Sequence, residues 1–253
     1  MAQAKGIGLV TGASSGIGAA FCRQLVPHCH KLLLVGRREP ELQALADELR
    51  AAGREALVIL ADLSDPLATT RVVEAIRQHG PVTWLVNNAG FGTLGPFEAQ
   101  SIDSQLDMVA VHINAPLTLT RAALPFMREV GAGVLINVSS LITYMPWSGV
   151  ATYGGSKAFL NNFSEALAIE LKDSGIRVQC LVPGYTRTDF HGRDSFSGFN
   201  ASSVPDSLWM EPDAVVAESL AALDGGPTVF IAGEVNRRMA RDALVRQLDA
   251  FQR

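Results

Sequence analysis

An α/β fold built on a single doubly wound parallel sheet is predicted by three observations. Short apolar runs of strand length alternate with helix-length segments along the whole chain, as expected of parallel strands joined by right-handed helical crossovers. Most of those runs are continuously apolar rather than alternating, which suits strands covered by helices on both faces. Directly after the first run comes a glycine-rich turn, T-G-A-S-S-G-I-G over Thr11–Gly18, which opens the first helix.

Taken in order, the first strand is expected over Ile7–Thr11 and the first helix over Gly16–Val26. The second pair is Leu32–Gly36 and Pro40–Ala52. In that helix Leu42, Leu45 and Leu49 form an apolar stripe and Gly53 supplies the stop. The third pair is Ala56–Leu60 and Pro66–His79, with Ser64 or Asp65 as the helix cap. After the fourth strand, Val82–Val86, a long helix spans Asp103–Arg128; Pro116 cannot donate to the carbonyl of His112, so a kink is expected there. Val134–Val138 leads to a helix over Tyr153–Lys172, whose stripe of Phe159, Phe163, Leu167 and Leu171 reads as core. Arg177–Val182, a helix over Pro212–Leu223, Thr228–Ile231 and a last helix over Glu234–Ala250 complete the chain. Thr188–Glu211 is too long for a routine connection and predicts a lid or binding loop on one domain spanning 1–253.

Composition narrows the partners. The net charge is −4 and no long basic run occurs, which disfavours nucleic acid or an anionic membrane. The first residues carry one lysine and an apolar run broken by glycines, neither a signal peptide nor a membrane span. Cys22, Cys29 and Cys180 lack C-x-x-C spacing and fit a reducing cytoplasm. His28-Cys29-His30 reads as a turn before the second strand and not as a metal site, because adjacent side chains do not converge on one ion. No metal is expected. The glycosylation-like patterns at Asn137 and Asn200 carry no meaning without a secretory signal.

The glycine turn has the chemistry of an anion site. Gly12, Gly16 and Gly18 permit close approach of a pyrophosphate, while Ser14, Ser15 and Ile17 surround a helix N-terminus with free N–H groups and partial positive charge. The second strand ends in Gly36-Arg37-Arg38, with no carboxylate at its tip. Two guanidiniums there can hold a 2′-phosphate bidentately, so NADP(H) is preferred and NAD(H) remains possible. The plainer reading is a pair of solvated arginines, one of them bonded to Glu39. Asp62, with Leu63 beside it, ends the third strand where an adenine would lie.

A second constellation lies in Ser139–Lys157. Ser140 precedes Tyr153 by thirteen residues, and Lys157 follows it by four. On a helix, Tyr153 and Lys157 share a face, roughly 5–6 Å apart at Cβ. The ammonium is expected to draw the phenol below its usual pKa of about 10. A hydroxyl, a tunable phenol and a cation suit proton transfer at a carbonyl oxygen.

The fourth strand ends in N-N-A-G, Asn87–Gly90. With the glycine turn, Ser140, the Y-G-G-S-K of Tyr153–Lys157 and the P-G-Y-T-R-T of Pro183–Thr188, the chain closely resembles the short-chain dehydrogenase/reductase family from Ile7 to Thr188. The resemblance implies a Rossmann fold, a nicotinamide cofactor and interconversion of carbonyl and alcohol. It implies that Tyr153 is the acid/base, that Lys157 lowers its pKa and holds ribose hydroxyls, and that Ser140 orients the substrate oxygen. Asn114 matches the family's proton-relay asparagine, and a kink at Pro116 would leave room for a water beside it. The alternative is an ordinary helix asparagine bonded to nearby backbone. Asn88, Ala89 and Gly90 are expected to line the cofactor, and Pro183, Gly184, Thr186 and Thr188 to bracket the nicotinamide. Ser139 reads as structural. Independently of the family, Thr11, Gly36, Asp62, Asn87, Ser140 and Pro183 all follow carboxyl ends of strands, where such sheets bind ligands.

The resemblance also implies a homodimer or homotetramer, with part of the Phe159–Leu171 stripe at the interface. Substrate choice is expected to rest on Phe91, Leu141, Tyr144, Met145, Trp147, Phe190, Phe196, Phe199, Trp209 and Met210, which suggest a hydrophobic carbonyl compound. The texture of A-F-L-N-N-F-S-E-A-L and of G-I-R-V-Q-C-L-V looks most like the branch holding 17β-hydroxysteroid and 3-oxoacyl-CoA reductases. A silent NADP-binding sensor, an epimerase-like relative and an oxidative direction are the competing readings.

Overall fold

The computed structural model describes residues 6–190, 196 and 198–251. Residues 191–195 and 197 of the expected lid, and 1–5 of the N-terminal stretch, lie outside the described residues. Seven strands form one parallel sheet: β1 (Gly6–Thr11), β2 (Cys29–Gly36), β3 (Glu55–Leu60), β4 (Val82–Asn87), β5 (Gly133–Val138), β6 (Ile176–Val182) and β7 (Val229–Ile231). Their order across the sheet is β3-β2-β1-β4-β5-β6-β7. The chain therefore winds outward from β1 in one direction, returns, and winds outward from β4 in the other. β1 and β4 are neighbours at this reversal, with Leu9 paired to Leu85 on one side and to Leu33 on the other.

Alternate residues of each strand face opposite sides, and each side has its own core. Leu9, Leu33, Leu85 and Leu135 face one layer, where they meet Val72 and Ile76 of α3 (Pro66–His79) and Leu119, Ala123 and Met127 of α5 (Ala115–Val130). Val10, Leu34, Val86 and Ile136 face the other, against Phe21 of α1 (Gly16–Gln24), Leu42 and Leu45 of α2 (Glu39–Ala51) and Val215 of α7 (Pro212–Ala221). Both faces are covered, which is why the strands read as unbroken apolar runs. α4 (Ile102–Val109), α6 (Ala151–Glu170) and α8 (Glu234–Phe251) complete the set. None of the described helices is long and apolar enough to cross a membrane.

Two local expectations change, and a third, the cap of α3, narrows to one of its two candidates. β2 begins at Cys29, which pairs with Gly6 and is fully buried, so the turn expected over His28–His30 is shorter than supposed. The long helix is interrupted: between α4 and α5 lies a single π-helical turn, Ala110–Asn114, closed by a bond from Ala115 N–H to Ala110 O. It precedes Pro116, whose ring nitrogen has no proton to donate, and a wider turn absorbs the lost bond. Of the two candidate caps for α3, Asp65 accepts from Leu67 N–H at 2.9 Å. The carboxylate of Asp62 instead holds Ser64, through both its N–H and its hydroxyl.

Leu33 is fully buried in the centre of the sheet. Leu33→Ala is expected to cost about 2–5 kcal/mol, the range for a cavity that cannot collapse. The measurement is urea unfolding with an unchanged m-value; a loss under about 1 kcal/mol would place Leu33 outside a tightly packed core.

Candidate active site

The reversal between β1 and β4 opens a cleft of about 820 Å³ at the carboxyl ends of the strands. One wall is the glycine turn. Gly12 has φ +66°, and a Cβ there would stand 2.9 Å from Ala89 Cα and 2.8 Å from Asn88 Nδ2. Neither the backbone conformation nor the space admits a side chain. The side chain of Asn88 donates to the carbonyl of Thr11 at 2.8 Å, and the N–H groups of Asn88 and Ala89 donate to Thr11 Oγ1. These bonds fix the end of β4 against the turn. Ser15, at the N-cap of α1, makes no side-chain cap bond, and no acid lies in the first turn of that helix. The helix N-terminus thus faces the cleft with free donors and positive partial charge, a cradle that fits a pyrophosphate. Gly12, Ser14, Ser15, Gly16 and Ile17 line the cleft. Gly18 is buried behind them, where a Cβ would collide with the carbonyl of Gly12.

Further along the cleft stand Arg37, Arg38, Asp62 and Leu63. Arg37 Nη1 donates to Asp62 Oδ2 at 3.2 Å, and Arg38 donates through Nε and Nη2 to Ser14 Oγ. Burial pushes the Asp62 carboxyl up, but the bonds from Ser64 and Arg37 outweigh it and hold it below the usual range. Arg38 pairs with Glu41 and not with Glu39. Asn88, Ala89, Gly90, Pro183, Gly184, Thr186 and Thr188 also line the cleft.

At its other end the cleft gathers Ser140, Tyr153 and Lys157. Ser140 follows β5, while Tyr153 and Lys157 lie in the first two turns of α6. The local electrostatics differ from the expectation. Lys157 is 4% exposed, its Nζ donates to the Val138 carbonyl at 2.8 Å, and it lies 5.9 Å from the centre of the Tyr153 ring. Burial lowers its pKa to about 8. Burial likewise pushes the Tyr153 phenol up to about 12, and a hydrogen bond with Ser140 pulls it down only in part. The phenol is therefore raised rather than lowered, because the ammonium is turned to Val138 and desolvation dominates.

Asn114 does not join this cluster. It is exposed and lies off the cleft wall. The inward position two residues earlier belongs to His112, which is completely buried. Two positions apart on a helical turn, side chains point to nearly opposite sides. The signal was present in the sequence: Met108, Val111, His112 and Ala115 recur at helical spacing and are all buried. His112 Nε2 accepts from Phe91 N–H at 3.2 Å, so its proton is on Nδ1, 2.8 Å from Ser156 Oγ. Ser156 Oγ in turn donates to the Tyr153 carbonyl at 2.9 Å. This chain of bonds ties the segment after β4 to the start of the helix that carries Tyr153. A Cβ on Gly90 would come within 2.8 Å of His112 Nε2 and 3.3 Å of Lys157 Nζ, so Gly90 is required for the close approach.

The apolar end of the cleft is lined by Phe91, Leu141, Met145, Trp147, Phe190 and Phe196, as expected, and also by Ile142, Pro146, Val150, Tyr185 and Met239. Four other candidates lie elsewhere. Tyr144 packs on the cluster around Leu141 and Leu160. Phe199 lies in an adjoining shallow groove beside Trp147. Trp209 lies tilted against Tyr185 and under the guanidinium of Arg187, and Met210 joins the core around Val215. Among the described residues, no group of three or more His, Cys, Asp or Glu side chains is arranged to hold a metal.

A dinucleotide-shaped cleft at a sheet reversal, with a serine, a tyrosine and a lysine at one end, defines a nicotinamide-dependent oxidoreductase. Residues 7–195 match the short chain dehydrogenase family, and the chain belongs to that family. A short chain dehydrogenase of Pseudocercospora fijiensis is 37% identical over 189 residues, 74% of this chain and 61% of that protein. Sulfoacetaldehyde reductase 2 of Chromohalobacter salexigens is 36% identical over 219 residues, 85% of each chain. The solved structure of a short-chain dehydrogenase from Sphingobium yanoikuyae in complex with NADPH superposes with a TM-score of 0.84 at 32% identity, covering 97% of this chain and 95% of that one.

Burial and the nearby Lys157 charge hold the His112 pKa well below 6.5. Unfolding therefore takes up a proton below the unfolded-state value, so stability falls as the pH drops from there, by up to about 1.4 kcal/mol per pH unit for this one group. His112→Asn is expected to flatten that acid limb, whatever it does to the absolute stability. Parallel urea-unfolding slopes between about pH 6.5 and 5 in the two proteins would contradict the neutral, buried imidazole.

Proposed function

We propose that this protein is an NADPH-dependent carbonyl reductase acting on a hydrophobic ketone or aldehyde. The observation that carries the reading is the meeting of Ser140, Tyr153 and Lys157 on one apolar cleft, with the phenol kept protonated by burial. Gly12, Ser14, Ser15, Gly16 and Ile17 hold the pyrophosphate, with Gly18 allowing their close packing. Arg37 and Arg38 take the 2′-phosphate, Asp62 and Leu63 flank the adenine, and Asn88, Ala89 and Gly90 support the middle of the cofactor. Pro183, Gly184, Thr186 and Thr188 bracket the nicotinamide, and Lys157 reaches the adjoining ribose. The reduced nicotinamide, when bound, supplies the hydride.

Ser140 donates to the carbonyl oxygen and orients it toward the phenol. Tyr153 then gives its proton to that oxygen as negative charge develops there. Lys157, whose pKa burial lowers while it raises that of the phenol, is the nearby proton source from which the tyrosine is restored. His112 takes no proton; it positions the helix start through Ser156. The aromatic wall of Phe91, Trp147, Phe190 and Phe196 favours a bulky apolar substituent, of the aromatic, steroid or long-acyl kind. The 188–211 segment acts as a lid on a single domain. Met210, near its far end, is pinned to the chain just before it by bonds from Met210 N–H to Tyr185 O and from Arg187 N–H to Met210 O, both 2.9 Å. Exposed Ile102, Leu106, Leu117 and Ile169 on α4, α5 and α6 support pairing of copies into a homodimer or homotetramer.

Oxidation of NADPH across a panel of carbonyls graded in size and polarity tests the reading, with Tyr153→Phe as the control. Bulky apolar ketones are expected to turn over best, and the variant to bind NADPH while losing about 10²- to 10⁴-fold in turnover. Binding of NADPH without turnover of any carbonyl would favour a sensor. Substantial turnover by the variant would remove Tyr153 from the chemistry.

A further inference from the structure

Every nitrogen of the Arg38 guanidinium is engaged. Nε and Nη2 each donate to Ser14 Oγ at 3.2 Å. Nη1 donates to Asp189 Oδ2 at 3.2 Å, with Glu41 Oε1 at 3.5 Å. Glu41 lies three residues away on the first turn of the same helix. Asp189 is 151 residues distant and reaches across from the opposite lip of the cleft. It stands at the start of the 188–211 segment between two anchored neighbours. Thr188 rests on Gly16, where a Cβ would come within 2.7 Å of its Cγ2, and the ring of Phe190 lies 5.7 Å from that of Tyr153. The Asp189 carboxylate thus occupies one of the anion positions offered by the arginine fork, at the end of the cleft remote from Ser140.

We propose that Asp189 is a cofactor-discriminating residue: its carboxylate holds Arg38 as an internal anion, which a nucleotide 2′-phosphate must displace and a nucleotide lacking that phosphate leaves in place. The proposal rests on the reading of Arg37 and Arg38 as the 2′-phosphate site. A phosphate presents more charge and more acceptor oxygens than a carboxylate to a planar fork, so it wins the guanidinium. It does so at reduced net affinity, because the Arg38–Asp189 pair is given up and the freed carboxylate stays close by. Both partners are partly exposed, 38% and 61%. The penalty is therefore that of a solvent-screened pair, about threefold to fivefold in affinity. Asp189 thereby narrows the preference for the phosphorylated nucleotide that the two arginines create.

Isothermal titration calorimetry of NADP⁺ and NAD⁺ against the full-length protein, Asp189→Asn, Arg38→Ala and the double variant tests this without reference to turnover. Asp189→Asn is expected to bind NADP⁺ about three to five times more tightly while leaving NAD⁺ unchanged. The gain should vanish in the Arg38→Ala background, because the competition acts through that guanidinium. An unchanged NADP⁺ affinity, equal tightening of both nucleotides, or a gain that survives the loss of Arg38 would each overturn the proposal. If Arg38→Ala weakens NADP⁺ selectively while Asp189→Asn changes nothing, the phosphate site stands and only the role of Asp189 fails. If Arg38→Ala leaves NADP⁺ binding intact, the phosphate-site reading itself fails, and the role of Asp189 with it.

Discussion

Everything in this protein depends on the reversal of winding between β1 and β4. The helix after β1 covers one face of the sheet, and the helix reached after β4 covers the other. Between them the carboxyl ends of two adjacent strands are left without a cover, and such a crevice is where an open α/β sheet binds its ligand. The glycine turn enters it from β1, the Asn88–Gly90 corner from β4, Ser140 from the end of β5, and Pro183 and Gly184 from the end of β6. None of these segments is close to all the others in sequence. The hydrogen-bonded register of the sheet brings them together.

The end of the cleft that gathers Ser140, Tyr153 and Lys157 is held by polar groups taken out of water at a cost. Lys157 is almost completely buried and His112 completely so. Each has its pKa lowered by desolvation, while the Tyr153 phenol is raised by the same cause. Such groups are tolerated only when their donors and acceptors are satisfied. Here Val138, Phe91 and Ser156 provide the partners. The result is a lysine poised near neutrality beside a phenol that keeps its proton. In this fold burial, and not the mutual charge of Tyr153 and Lys157, sets the direction of both shifts.

Much of this was legible in the chain because burial on both faces writes strands as apolar runs and because ligand-binding corners follow their carboxyl ends. The glycine turn, Arg37 and Arg38, Ser140, Tyr153 and Lys157 all reach one cleft. What was not legible depends on direction and distance. Asn114 and His112 differ by two positions on one helix, and only the phase set by Met108 and Val111 shows which of them points inward. The sign of the Tyr153 shift depends on where the Lys157 ammonium turns, and that is decided by a carbonyl on another strand. The contact of Arg38 with Asp189 joins residues far apart in the chain, and no spacing rule reaches it. Met239 enters the cleft wall in the same way, from a helix with no local signal for the site.

The central claim is that one extended dinucleotide lies across the sheet reversal, joining the arginine pair to the tyrosine. A crystal structure of the complex with NADP⁺ tests it most directly. The account predicts the pyrophosphate on the N-terminus of α1, the 2′-phosphate at Arg37 and Arg38, and the nicotinamide beside Tyr153 and Ser140. A nucleotide bound away from the glycine turn, or lying in the reverse orientation with its phosphate near Tyr153, would contradict it.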